Sequence, residues 1–169
     1  MIGVGQEFPY FELNGVSGDD ELVTVTRDDY DGWKVIYFYP KDFTFICPTE
    51  IHNFNKINPD LAEVIGISGD NEYCKLAWKE SNELLSDVDH TLAADCGLVL
   101  SDELGIVDAE ENVCYRATYI LNPDNYVEHV SVNALDTGRN VDEVIRTLVA
   151  LQSGGLTGCG WEEGEDFVG

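Results

Sequence analysis

Basic side chains are scarce. The 169 residues carry 9 Lys and Arg against 33 Asp and Glu, a formal net charge of −24. Binding to a phosphate backbone draws on clustered Lys and Arg, so nucleic acid is not an expected partner. There is no run of about 18 apolar residues, the length needed to cross a bilayer, so no membrane association is expected. The first residues, Met1-Ile2-Gly3-Val4-Gly5-Gln6, lack the basic-then-apolar order of a secretory leader, and the expected setting is the cytoplasm. No glycine-rich phosphate loop is present, so no nucleotide cofactor is expected. Cysteines number five, at 47, 74, 96, 114 and 159. None forms a Cys-x-x-Cys, and no His stands at zinc-ligand spacing from one, so neither a disulfide scaffold nor a metal site is expected. His52, His90 and His129 share no spacing and read as ordinary polar residues. The acid excess reads as a solvated surface, with adaptation to high salt as the sharper alternative.

Hydrophobic residues make up 44% of the chain, enough for one compact domain with a core. Residues 1–32 read as irregular and acidic, with strand-like pieces such as Leu22-Val23-Thr24-Val25. Residues 33–39 form a strand apolar on both faces, as in the centre of an α/β sheet. A helix is expected over 47–57, ended by Asn58-Pro59, then a buried strand over 63–68 and a helix over 72–82. Residues 92–95 read as a short extended piece and 98–104 as a short helix. Two strands, 115–121 and 126–132, flank the turn Asn122-Pro123-Asp124-Asn125. Asn140 caps a final helix whose apolar stripe is Val141, Val144, Ile145, Leu148 and Val149, ended by Gly154-Gly155. The order predicts an α/β fold with a central mixed β-sheet flanked by helices. Residues 1–153 form the domain. Residues 154–169 form a Gly-rich, mobile tail carrying Cys159.

The most informative segment is Pro40-Lys41-Asp42-Phe43-Thr44-Phe45-Ile46-Cys47-Pro48-Thr49-Glu50. It places Cys47 in the first turn of a helix, just beyond a buried strand. N–H groups there have no intrahelical acceptor and the helix dipole is positive. Such a site favours thiolate, the reactive form of cysteine. Pro48 suits a helix start. Cys74, Cys96 and Cys114 read as small buried apolar residues. Arg116, amid strand residues, needs a buried anion, and Trp78 reads as packing.

The Pro40…Thr44…Cys47 spacing resembles the Pro-x-x-x-Thr-x-x-Cys signature of the peroxiredoxins. The longer string around it is similar to the typical two-cysteine branch, including the alkyl hydroperoxide reductase C subunits. Phe8-Pro9, Leu76-Ala77-Trp78, Arg116-Ala117-Thr118-Tyr119 and Gly138-Arg139-Asn140-Val141-Asp142-Glu143 extend the likeness over nearly the whole chain. The resemblance implies a thioredoxin-like fold and a cofactor-free, thiol-dependent peroxidase acting on hydrogen peroxide and organic hydroperoxides in antioxidant defence. It implies that Cys47 attacks the peroxide, that Arg116 holds the thiolate and peroxide, that the Thr44 hydroxyl bonds sulfur and peroxide, and that Pro40 shields the site. Glu50 and Arg139 would orient Arg116, although Arg139 could instead only brace its loop. Cys159 would resolve the sulfenic acid of a partner subunit into an intersubunit disulfide. It lies two residues before Trp161, whereas the family's resolving cysteine usually lies four before, at the position of Thr157 here. A dithiol reductant of the thioredoxin, AhpF or AhpD type would recycle the enzyme, a homodimer or a decamer of five dimers. The alternative carried by the same residues is a redox-switched holdase chaperone or peroxide sensor. A thiol-disulfide oxidoreductase would need a second cysteine in the helix turn after Cys47, and none is there.

Overall fold

Strand β3 (Lys34–Phe38) is buried at all five positions, as its run of apolar residues requires of a strand covered on both faces. It is an interior strand of a seven-stranded sheet in the computed structural model, which describes Met1–Gly169. The remaining elements, in chain order, are β1 (Glu12–Val16), β2 (Leu22–Thr26), then after β3 α1 (Cys47–Phe54), β4 (Glu63–Ser68), α2 (Glu72–Ser81), β5 (Thr91–Ala94), α3 (Val99–Leu104), β6 (Val107–Asp108), β7 (Val113–Cys114), β8 (Arg116–Leu121), β9 (Val127–Asn133) and α4 (Val141–Ser153). Seven strands share one sheet in the order β2-β1-β5-β4-β3-β8-β9, while β6 and β7 form a separate two-stranded ribbon. β3 runs parallel to β4 and β4 to β5, whereas β8 and β9 continue antiparallel. The mixed α/β sheet expected from the element order is the one observed, and the fold is thioredoxin-like.

The first 32 residues are more regular than their composition suggests. β1 and β2 pair antiparallel from Glu12↔Thr26 to Val16↔Leu22, and β1 joins the main sheet through Gly15↔Ala93. Asn14 and Gly15 have low strand propensity, which hides β1 in the sequence. Gly15 is needed there because a Cβ would come within 2.6 Å of the Leu92 carbonyl oxygen.

Phe8, Phe11, Ile36, Phe38, Ile65, Ile67, Tyr119 and Leu121 belong to the core cluster. Phe8 meets Tyr119 edge-on at 5.2 Å, and Phe38 meets the same ring at 6.0 Å. Alternation along β3 sends Tyr37 the other way, where it stacks on Phe54 at 3.9 Å with the rings nearly parallel. Each such ring, fully buried, contributes about 1.5–3 kcal/mol, so α1 is fastened to the sheet through Phe54.

Two compact units are seen, Met1–Arg139 and Asn140–Gly169. In the second, Asn140 Oδ1 accepts the Glu143 N–H at 3.1 Å and Gly154 (φ 71°) ends α4 in the left-handed region. The tail after α4 contains turns and no further helix or strand. Trp161 is buried, donates Nε1–H to the Glu165 carbonyl at 3.1 Å and stacks on Phe167. Arg146 Nη1 donates to the Trp161 carbonyl at 2.8 Å, and Val168 N–H to the Leu156 carbonyl at 2.9 Å. No helix is long and apolar enough to cross a membrane.

Candidate active site

The loop from Pro40 to Ile46 carries the chain from the end of β3 to the start of α1. Ile46 precedes the helix and supplies no side-chain cap. Its carbonyl accepts the Thr49 and Glu50 N–H groups at 3.1 and 3.3 Å, Pro48 has no N–H, and the Cys47 N–H is left for another acceptor. Cys47 is the first residue of α1 and only 1% exposed. It sits on the floor of a cleft of about 480 Å³ whose lining includes Pro40, Thr44, Val113, Arg116 and Leu135.

Arg116 comes from the first position of β8, directly beside β3. Its Nη1 lies 3.3 Å from Cys47 Sγ and donates to Glu50 Oε1 at 2.6 Å. Its Nε donates to the Leu135 carbonyl at 2.6 Å, which fixes the plane of the guanidinium. Glu50 stands one turn after Cys47 on the same helix, so the two groups face the same guanidinium. Arg139 closes the other side of Glu50. Its backbone N–H and Nε reach Oε2 at 2.9 and 2.7 Å, and Nη2 reaches Oε1 at 3.0 Å. Its Nη1 donates to the Ala117 carbonyl at 2.7 Å, and the guanidinium lies over the Tyr37 and Phe54 rings.

The charges are held in place by burial and pairing. Burial alone would push the Glu50 carboxyl up, but the hydrogen bonds and charges of Arg139 and Arg116 outweigh it and hold Glu50 below the usual carboxylate range. Burial works against the Arg116 cation, yet its hydrogen bond to Cys47 and the Cys47 and Glu50 charges raise its pKa further. The cluster therefore has a charged guanidinium against a buried sulfur atom, at the uncapped end of a helix, on the floor of a cleft. Such an arrangement can stabilise negative charge on sulfur and on an oxygen released from a bond that the sulfur attacks.

This geometry has counterparts in known proteins. Residues 4–130 match the AhpC/TSA family. The chain is 41% identical to alkyl hydroperoxide reductase C of Mycolicibacterium smegmatis, covering 99% of this chain and 94% of that protein. It is 37% identical to the putative peroxiredoxin YkuU of Bacillus subtilis, covering 96% of each. Among solved structures, the reduced 2-Cys peroxiredoxin of Plasmodium vivax superposes with a TM-score of 0.90 at 32% identity, covering 96% of this chain and 91% of that one. AhpC of Mycobacterium tuberculosis gives 0.87 at 36% identity, covering 96% and 99%. The chain belongs to the AhpC/TSA family of peroxiredoxins. As a peroxiredoxin it is a thiol-dependent peroxidase.

Of the residues singled out in the sequence, the structure of this peroxiredoxin gathers Cys47, Glu50, Arg116 and Arg139 into one cluster, with Pro40 and Thr44 in the cleft wall. Thr44 departs from expectation in its bonding. Its hydroxyl donates to the Lys41 carbonyl at 2.8 Å, closing its own loop instead of reaching the sulfur. Cys159 lies on the folded tail and is exposed, between two glycines of which Gly160 has φ 69°.

The other cysteines differ from one another. Cys114 is buried as expected, with its thiol 3.0 Å from the Tyr39 carbonyl and its pKa pushed by burial up to about 12. Cys74 is half-buried and Cys96 exposed, so neither is a core residue. Cys96 follows β5 in a tight turn that leaves its side chain open to solvent. For Cys74, burial and then the nearby Asp42 and Asp70 charges push the thiol up to about 11. Asp42, Asp70 and Cys74 place ligand atoms within 4.8 Å of one another, and Lys75 Nζ lies 3.3 Å from both Asp42 oxygens.

Sequence reasoning missed the acceptor Leu135, whose contribution is a backbone carbonyl and leaves no side-chain signal. It also missed His90, read as an ordinary polar residue. His90 is buried between Tyr37 Oη (2.6 Å) and Asn55 Oδ1 (3.1 Å), and burial brings its pKa down to about 3.

Proposed function

We propose that this peroxiredoxin reduces hydrogen peroxide and organic hydroperoxides through Cys47. As a thiolate, Sγ attacks the terminal oxygen of the hydroperoxide. An S–O bond forms, the O–O bond breaks, and the departing oxygen takes a proton to leave as water or an alcohol. Cys47 becomes a sulfenic acid. Arg116 faces both the sulfur and the place where charge develops, and the free first-turn N–H of Cys47 adds a second donor there. Pro40 keeps water from the sulfur. Thr44 shapes the same wall, and its oxygen can turn towards the peroxide when its bond to Lys41 is exchanged. The observation that carries this reading is the single Arg116 nitrogen shared between Cys47 Sγ at 3.3 Å and Glu50 at 2.6 Å.

The second half of the cycle assigns Cys159 of a partner subunit as the resolving thiol. Its sulfur attacks the sulfenic sulfur, water leaves, and an intersubunit disulfide forms. A thioredoxin-, AhpF- or AhpD-type dithiol then exchanges with that disulfide and restores both thiols. This requires at least a homodimer, which can assemble further into five dimers. The setting is a reducing cytoplasm, and the role is antioxidant defence and redox homeostasis.

Stopped-flow peroxide consumption tests the first half. Wild type is expected to react in a fast second-order phase that Cys47→Ser abolishes, and equal slow rates would overturn the reading. Non-reducing gels with mass spectrometry test the second half. A peroxide-dependent dimer linked through Cys47 and Cys159, absent in Cys159→Ser, is expected. A dimer that persists in that variant would remove Cys159 from its role.

A further inference from the structure

The segment that leads into Cys47 is strained and pinned. Phe43 has φ 57°, a left-handed conformation that is strained for a bulky L-residue. Two contacts hold the loop against helix α2. The Phe43 ring packs on Trp78 at 5.8 Å. One residue earlier, Asp42 turns its carboxylate into the protein and meets Lys75. Both side chains of that pair are fully buried.

Asp42 is fixed from several sides. Oδ1 accepts from Tyr39 Oη at 2.7 Å, lies 3.2 Å from Ser68 Oγ, and is 3.3 Å from Lys75 Nζ. Lys75 Nζ also donates to Ser68 Oγ. The Asp42 N–H donates to Asp70 Oδ2 at 2.6 Å. The loop thus carries a buried charge whose counter-charge belongs to a different helix. Removing one partner of such a pair leaves an uncompensated charge in a dry site, which is strongly unfavourable.

This matters because Cys47 is enclosed. A disulfide needs its Cβ atoms about 3.5–4.5 Å apart, and no outside sulfur can approach a residue that is 1% exposed. Disulfide formation at Cys47 therefore requires the loop and first turn of α1 to open. While they stay closed, a sulfenic acid at Cys47 remains beside Arg116, where a second peroxide can oxidise it to sulfinic acid.

We propose that the Asp42–Lys75 ion pair is the pin that keeps this loop closed and so sets the partition of the Cys47 sulfenic acid between disulfide and sulfinic acid. The inference rests on the peroxidase reading of Cys47 given above. Asp42 and Lys75 are positioning residues that act on Cys47 through the loop.

The test is a mutant cycle. The variants are Lys75→Met, Asp42→Asn and the pair together, compared with wild type under turnover with dithiothreitol and increasing hydrogen peroxide. Three quantities are read: the stopped-flow rate constant for peroxide reaction, the rate of disulfide formation, and the peroxide dose giving half sulfinic acid by mass spectrometry. In Lys75→Met the buried carboxylate favours the open loop. Disulfide formation and the half-sulfinic dose are both expected to rise about tenfold, with the peroxide step within about twofold of wild type. Asp42→Asn shifts them in the same direction by less. The double variant, with no unpaired charge, returns to within about threefold of wild type. Val25→Ala on the distant strand β2, as a control for general loss of stability, leaves the partition unchanged.

A wild-type partition in folded Lys75→Met or Asp42→Asn, or a double variant as shifted as Lys75→Met, would overturn the pin. If Lys75→Met fails to fold, an unshifted partition in Asp42→Asn overturns it alone. A slow peroxide step in wild type itself would instead overturn the underlying reading of Cys47.

Discussion

Arg139 grips Glu50 with its main chain and its side chain together, at 2.9 Å through N–H and 2.7 Å through Nε on the same oxygen. The other Glu50 oxygen accepts from Arg139 Nη2 at 3.0 Å and from Arg116 Nη1 at 2.6 Å. Position passes along this line from Arg139 to Glu50 to Arg116 to Cys47. Each member is buried, so each depends on its neighbour for charge balance.

Arg116→Lys tests the last link. Lysine keeps the charge but loses the planar fork that reaches Leu135, Glu50 and Cys47 together. We expect the peroxide rate constant to fall by about 10²-fold or more, the scale for losing a preorganised donor at a developing anion. Stopped-flow kinetics at pH 7 would show it, and a loss under threefold would remove Arg116 from the chemistry.

Glu50→Gln tests the middle link. The amide cannot balance two guanidinium groups, and truncating a buried pair costs about 3–5 kcal/mol of stability. A lower melting temperature is therefore expected together with slower peroxide reaction. Arg139→Met should reproduce the stability loss with a smaller rate effect, because Arg116 retains Glu50. Equal rates in all three proteins would show that Arg139 braces its loop without orienting Arg116.

Acid sensitivity follows from the same carboxylate. Glu50 is held below its ordinary value of 4.5, so its pairing energy is fully present above that pH. It is lost as pH falls through the lower folded value. Activity and thermal stability should both hold down to about pH 4.5 as far as this group is concerned, then fall together below it. Glu50→Gln should lack that shared step.

Much of this architecture is legible in the residues alone. β3, β4 and β8 announce themselves because strands buried on both faces read as apolar runs, and Asn140 with Glu143 and Gly154 brackets α4. Cys47 is marked by its place between an apolar strand and Pro48. Arg116 is legible as a charge that cannot be buried alone. β1 is not, since Asn14 and Gly15 hide it and its place is fixed by a close approach to Leu92. The Asp42–Lys75 pair is not either, because 33 residues separate its members and nothing local distinguishes them from surface charges. Thr44 shows a different limit, in that its presence in the loop is readable but the partner of its hydroxyl is not.

The net charge of −24 predicts a response to salt. Like charges on the surface repel in the folded chain, and screening lengths fall from about 10 Å at 0.1 M to about 3 Å at 1 M. The melting temperature should rise by several degrees over that range. The ion pairs around Glu50 are buried and respond little, so the stability difference between wild type and Glu50→Gln should stay constant with salt. A melting temperature that is flat or falls with salt would show that the acids are spaced widely enough to be harmless.

His90 gives a sharper dependence on pH. Its Nδ1–H donates to Asn55 Oδ1 and its Nε2 accepts from Tyr37, which is the neutral ring. Burial lowers its pKa from 6.5 to about 3 in the folded protein. An unfolded chain therefore takes up a proton at His90 below pH 6.5 while the folded one does not. Stability from this site is complete above pH 6.5 and is lost progressively down to about pH 3, at about 1.4 kcal/mol per pH unit. His90→Gln should be less stable than wild type at pH 7, because the Tyr37 and Asn55 bonds are disturbed. Its urea midpoint should nevertheless decline less steeply between pH 6.5 and 4, so that the two curves converge. Parallel curves would mean that the ring already carries its proton inside the fold, with Tyr37 reoriented to accept from it.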